Sequence, residues 1–225
     1  MTNSVNKYWN TYNQEKNSLI KKIVKFNNKH DFNFFEFENY NHIRDILALA
    51  LIFAKKNKKK ITVLDYGSNL LTISNLNKKI ETKNINFDIF DPFYTKQKNN
   101  INIKNIKYKI FNKEKDILKK SYDLINFGSS IQYQKNFFNN FQKFNLKKTR
   151  YIVFTSTPFS LSKTYYTKQL NHSHLIQNIF SIKELIEKLK LNKFNLIFKS
   201  RNDDKYISCK FKRFKTYSLN LIFNK

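Results

Sequence analysis

With one cysteine, Cys209, this 225-residue chain cannot carry a disulfide framework, and it is long enough to bury a core without one. Acids are scarce too: 16 Asp and Glu stand against 43 Lys and Arg, a formal net charge of +27. Arginine is nearly missing from that excess, occurring only at Arg44, Arg150, Arg201 and Arg213. Specific phosphate or base readout favours arginine's planar fork. The charge therefore reads first as a solvated lysine surface, with nucleic acid a partner to weigh but not the favoured one. No apolar run approaches the roughly 20 residues of a membrane span; the longest, Ile46 to Ala54, suits a buried helix. Met1 to Lys7 is polar with no apolar signal segment behind it, so a cytoplasmic location is expected.

The scarcest informative residue is glycine. Gly67 and Gly128 are the only two, and each closely follows a predicted strand. A backbone this poor in glycine is expected to keep it where a side chain would obstruct something. In Ile61-Thr62-Val63-Leu64-Asp65-Tyr66-Gly67-Ser68-Asn69-Leu70-Leu71 a β-branched and apolar strand runs into a tight turn that opens a helix. This is the place where a doubly wound α/β sheet holds a nucleotide-like ligand.

The rest of the chain supports that architecture. Apolar spacing predicts an amphipathic helix over Asn13 to Asn28 and a second from Tyr40 to Lys56. After Ile61, strands are expected at Ile85 to Phe90, Asn105 to Phe111, Tyr122 to Phe127 and Tyr151 to Thr155, with helices at Leu70 to Lys79 and around Phe137 to Phe144. The stretch from Pro158 to Phe180 is polar and carries no clear period. Ser181-Ile182-Lys183-Glu184 is a capping box opening a helix to about Leu191. Phe194 to Lys199, Tyr206 to Phe211 and Tyr217 to Phe223 read as closing antiparallel strands. Residues 1–58 form an expected N-terminal helical cap and 59–225 a Rossmann-like domain, the two making one structural unit. The sheet should be mostly parallel, with helices on both faces.

Asp65-Tyr66-Gly67-Ser68-Asn69 resembles the first motif of class I S-adenosylmethionine-dependent methyltransferases, with Asn69 and Leu71 at the later glycine positions. Leu64 to Ser68, Ser129-Ser130-Ile131-Gln132-Tyr133, Thr157-Pro158-Phe159 and Gln169 are similar to one family of methyltransferases often found among bacterial surface-polysaccharide genes. The similarity covers roughly Phe35 to Lys225, and Ser-Ser-x-Gln-Tyr is its most specific part. It implies S-adenosyl-L-methionine as cofactor and polysaccharide biosynthesis as the setting. Asp65, Tyr66, Gly67, Ser68, Asn69, Asp91, Gly128, Ser129 and Ser130 would then bind the cofactor, and Gln132, Tyr133 and Gln169 the acceptor. In that reading Gly67 lets the chain pass against the methionine part, and Asp91 accepts from the ribose hydroxyls.

Each residue also has a plainer reading. Asp91-Pro92 makes a turn by itself, Ser129-Ser130 could be a turn with a helix cap, and Tyr133 a packed aromatic. His172 and His174 are the candidate general bases with Tyr133. As a metal site, His-x-His lacks further ligands, so no metal is expected. A dinucleotide oxidoreductase would need more glycine for its pyrophosphate, and no Walker-type Gly-Lys-Ser/Thr occurs. Three functions remain: methyl transfer to a small-molecule or saccharide acceptor, methylation of RNA, or a non-catalytic binding protein with the methyltransferase fold.

Overall fold

In this computed structural model the residues described are 41–56, 58–68, 70–92, 106–168, 176–201 and 214–225, without the side chains at 41–44, 70, 71, 78 and 79. Helix α1 (Asn41–Lys55) leads to β1 (Ile61–Tyr66), α2 (Leu70–Lys79) and β2 (Ile85–Phe90). Then come β3 (Lys107–Phe111), the short α3 (Lys115–Leu118), β4 (Leu124–Gly128), a 3-10 turn (Ile131–Tyr133) and α4 (Phe137–Phe141). β5 (Tyr151–Ser160), β6 (Tyr165–Lys168), β7 (Ile176–Ser181), α5 (Ile182–Leu191), β8 (Asn195–Arg201) and β9 (Thr216–Asn224) complete the order. The helix expected over Asn13 to Asn28 and the strand over Tyr206 to Phe211 lie outside the described residues.

The main sheet runs β3-β2-β1-β4-β5-β9-β8. β3, β2, β1, β4 and β5 are parallel neighbours. β9 lies antiparallel between β5 and β8, so the last strand in sequence is an inner strand rather than an edge. Alternation along each strand sorts side chains to the two faces. Ile61, Val63, Phe87, Leu124 and Val153 pack with Leu47 and Leu51 of α1 and Ile73 and Leu76 of α2. Leu64, Ile125, Phe127, Ile152 and Phe154 pack with Ile117 of α3, Phe137 and Phe141 of α4, and Leu185 and Leu189 of α5. Phe127 is the aromatic centre of that second face, with ring centroids of Phe137, Tyr66 and Phe154 at 5.2, 5.4 and 5.4 Å. Helices therefore cover both faces, as the alternation of strand and helix signals predicted.

Two stretches differ from expectation. β5 does not stop at Thr155 but continues through Pro158 to Ser160. Proline is tolerated there because the register against β9 has already slipped between Phe154 and Thr157. The prolonged end of β5 pairs in parallel with β7 through Phe159↔Phe180 and Ser160↔Ser181, and β7 carries β6 antiparallel. This small hairpin adds a lip to the sheet beyond the end of β4, where sequence reading found no strand.

The capping box at α5 also differs in detail. The Ser181 hydroxyl oxygen accepts from the Glu184 N–H at 3.4 Å, as predicted. The return limb is relayed: Ser181 N–H donates to Thr164 Oγ1 (2.9 Å), whose hydroxyl donates to Glu184 Oε2 (2.6 Å). Ser181→Ala is expected to cost about 1–2 kcal/mol. For a chain of this size that lowers the melting temperature by about 2–8 °C, measurable by thermal denaturation.

Candidate active site

Parallel pairing brings the carboxyl ends of β1, β2, β4 and β5 side by side, the region in which open α/β sheets place ligands. Asp65, one residue before the end of β1, is fully buried. Asn126 lies across from it on β4 and donates from Nδ2 to Asp65 Oδ1 at 2.7 Å. Asp65 Oδ2, Asn126 Oδ1 and, on the next strand, Thr155 Oγ1 are buried with no hydrogen-bond partner among the described residues. Burial pushes the Asp65 carboxyl up from 3.8 to about 6, against the opposing pull of hydrogen bonds from Ser68 and Asn126.

The contrast with the other acids of the sheet is informative. Asp88 accepts from Lys120 and from the Tyr122 hydroxyl, and Asp123 from Lys58 and the Thr62 N–H. In a chain crowded with lysine, Asp65 alone of these three has no basic partner among the described residues.

Both glycines serve this corner, each for its own reason. Gly67 sits at φ +74°. Its N–H donates to Phe90 O at 2.8 Å, tying the turn after β1 to the end of β2. A Cβ at this position would lie 2.3 Å from Ser130 Cβ, so the missing side chain makes room for Ser130 of this chain itself. That differs from the expectation that Gly67 clears space for a cofactor. The Ser130 hydroxyl in turn donates to Tyr66 O at 3.0 Å and makes no cap bond, so it staples the β1 turn to the β4 turn. At Gly128 a Cβ would crowd Thr155 Oγ1 (3.3 Å) and Asn126 Nδ2 (3.4 Å).

The adjoining serines are held in unusual backbone. Ser129 and Ser156 both have φ +46°, a region costing a non-glycine residue roughly 1–2 kcal/mol. Bonds brace each of them. Ser129 N–H donates to Thr155 O (3.0 Å), and Gln132 Nε2 donates back to Ser129 O (2.7 Å). Ser156 N–H donates to Asn220 Oδ1 (2.8 Å), which fixes the slip between β5 and β9. Strained residues held by their surroundings concentrate at functional sites.

The sequence-predicted residues thus fall into groups. Asp65, Gly67, Ser68, Gly128, Ser129 and Ser130 are brought together, and half-buried Asp91 follows the end of the neighbouring β2 with its N–H on Phe111 O. Tyr66 joins them through its carbonyl only. Its ring turns to the opposite face, 4.7 Å from Phe90, and its hydroxyl donates to Glu114 Oε1 at 2.6 Å. Burial and Glu114 hold that phenol well above its usual range. Gln132 and Tyr133 occupy a 3-10 turn, and the α-helix starts only at Phe137. Asn69, Gln169, His172 and His174 lie outside the described residues. Sequence reading missed Asn126, Thr155 and Asn178, which carry no motif and acquire meaning only through strand register.

No protein-family model matches the chain, and no curated protein matches it in sequence. Solved structures do. The 1,6-didemethyltoxoflavin N1-methyltransferase of Burkholderia thailandensis, solved with 1,6-didemethyltoxoflavin and S-adenosylhomocysteine, aligns with a TM-score of 0.59 at 11% identity, over 95% of this chain and 90% of its own. The N-terminal domain of EvdMO1, solved in the presence of S-adenosylhomocysteine and D-fucose, gives 0.55 at 9% identity over 93% and 96%. Magnesium protoporphyrin IX methyltransferase of Synechocystis PCC 6803, with bound S-adenosylhomocysteine, gives 0.53 at 12% identity over 82% and 83%. This chain has the Rossmann-like class I methyltransferase fold.

Proposed function

We propose that a chain with this fold and this corner is an S-adenosyl-L-methionine-dependent methyltransferase acting on a small-molecule or saccharide acceptor. The observation that carries the reading is Asp65: a buried carboxylate with a spare oxygen and no lysine, in a protein that supplies lysine to Asp88 and Asp123. A ligand bearing an ammonium and a sulfonium suits such a group, since an opposite charge nearby favours its ionised form. The donor set therefore fits S-adenosylmethionine. Asp65, the Gly67 turn with Ser68 and Asn69, and Gly128 to Ser130 would hold the methionine end, and Asp91 the ribose. When bound, the cofactor supplies an electrophilic methyl group. The protein's part is alignment of the acceptor and, for a hydroxyl acceptor, removal of its proton by His172, His174 or Tyr133.

The similarity to families among surface-polysaccharide genes and the solution of one like-folded structure with D-fucose support a saccharide acceptor. A cytoplasmic setting is part of this reading; among the described residues no helix is long and apolar enough to cross a membrane. We keep residues 1–58 as a helical cap working as one unit with the domain from 59 to 225. Methylation of RNA stands second, favoured by the net charge of +27. Label transferred to RNA at near-physiological salt would promote it.

Calorimetry with S-adenosylhomocysteine tests the donor site. The wild type should bind. Asp91→Ala should weaken binding by about 1–3 kcal/mol, roughly 5- to 150-fold, through the loss of a carboxylate that accepts two hydroxyls. A wild type that does not bind would leave the fold without this function.

A further inference from the structure

The hairpin β6–β7 and the 3-10 turn after β4 pack against each other at the carboxyl end of the sheet. Each buries an amide. Asn178, 1% exposed, donates from Nδ2 to Gln134 O. Gln132, 3% exposed, donates from Nε2 to Ser129 O at 2.7 Å and to Ser129 Oγ at 3.2 Å. Because a backbone carbonyl can only accept, these partners decide which end of each amide is nitrogen. The remaining atoms, Asn178 Oδ1 and Gln132 Oε1, are therefore oxygens, and both are buried with no partner among the described residues. Such groups are held in place at a cost in stability unless something donates to them.

We propose that Asn178 and Gln132 form the acceptor subsite, and that it takes a molecule that presents hydroxyl or amine hydrogens and carries no net negative charge. The inference rests on the methyltransferase reading for the meaning of "acceptor", and it narrows the substrate class. Two amide oxygens can only accept, so they receive O–H or N–H groups and repel a carboxylate or phosphate. Gln132 sits beside Ser129, the residue that continues β4 past the seat formed by Asp65 and Gly67, and Asn178 holds Gln134 at the far end of the same 3-10 turn. Both amide nitrogens are committed, Gln132 to the left-handed Ser129 and Asn178 to Gln134 O, and Asn178 is the one whose replacement leaves the brace on Ser129 intact. A polyol such as a sugar, or a neutral amine, meets both requirements.

The test uses the whole protein with methyl-labelled S-adenosylmethionine and a polar metabolite extract separated by charge into anionic, neutral and cationic fractions. Label should enter the neutral or cationic fraction. Asn178→Leu, which keeps the branch at Cγ but has methyl groups where Asn has its oxygen and nitrogen, should lower that transfer at least tenfold while S-adenosylhomocysteine affinity stays within about twofold. Asn178→Thr, suited to a strand, repeats the comparison if the leucine variant does not fold. Label confined to the anionic fraction, transfer insensitive to both substitutions, or no transfer by a wild type that still binds S-adenosylhomocysteine would each overturn the subsite. Thermal denaturation gives a reading independent of the donor. If the oxygen awaits a ligand, Asn178→Leu leaves the melting temperature of the unliganded protein within about 3 °C of wild type. If an internal water satisfies it, the fall is larger and the proposal fails. Failure of the wild type to bind S-adenosylhomocysteine counts against the donor site instead, and the melting comparison still decides the subsite.

Discussion

Replacing Asp65 by asparagine should make the protein more stable at pH 8 and at the same time cripple donor binding. The folded-state pKa of this carboxyl is raised from 3.8 to about 6 by burial. Its proton is therefore favoured by the native state, so stability is highest below the unfolded value near 4. It is eroded as pH climbs towards 6, and the full penalty stands above that. At 1.36 kcal/mol per pH unit the gap is worth about 3 kcal/mol. Asparagine keeps the shape and the Oδ1 that accepts from Asn126 but removes the charge, so denaturant melts of Asp65→Asn should lose the slope between pH 4 and pH 6 and exceed the wild type above it. Binding should move the other way. The ligand's ammonium, which S-adenosylhomocysteine keeps although it lacks the sulfonium, loses a charge-assisted partner of about 1.5–3 kcal/mol, or roughly 10- to 150-fold in affinity. An Asp65→Asn protein that is less stable at pH 8, or that binds as tightly as wild type, would remove the argument that Asp65 is reserved for a cation.

Gly67→Ala should be the more damaging change to the fold. A left-handed alanine costs roughly 1–2 kcal/mol. Its Cβ would stand 2.3 Å from Ser130 Cβ, a contact that only backbone movement can relieve. Overpacking of this kind adds about 1–3 kcal/mol, so the total is about 2–5 kcal/mol, seen as a large fall in the denaturation midpoint. The Gly67→Ala/Ser130→Gly double variant separates the two terms. It should recover the steric part, with a coupling of about 1–3 kcal/mol in a double-mutant cycle, but not the cost of φ +74°. If the two substitutions proved additive, Gly67 would be needed for its dihedral angle alone. The stapling of the two turns through Ser130 would then have no energetic content.

These two residues show how far local pattern carries. The run from Ile61 to Lys79 announced strand, turn and helix with nearly the observed limits, because period-2 and period-3.6 burial are written in neighbouring residues. The same holds for Ile85 to Phe90, for Ser181 as the start of α5, and for the importance of both glycines. A glycine's presence can be read in one dimension. What it makes room for cannot: Ser130 lies 63 positions beyond Gly67 and meets it only because β4 pairs beside β1.

The hairpin β6–β7 escaped notice because Tyr165 to Lys168 is short and both of its strands alternate poorly, their order coming from the prolonged β5. Asn126 and Asn178 look like ordinary polar residues until register sets one against Asp65 and the other against the turn at Gln134. Sequence alone determined the parallel strands, most of the helices and which turn needs glycine, since those depend on short-range periodicity and on a backbone angle that few residues accept. Only tertiary structure decided which polar atoms are left buried and unpartnered, because that depends on what strands distant in the chain bring into hydrogen-bond range and what they withhold.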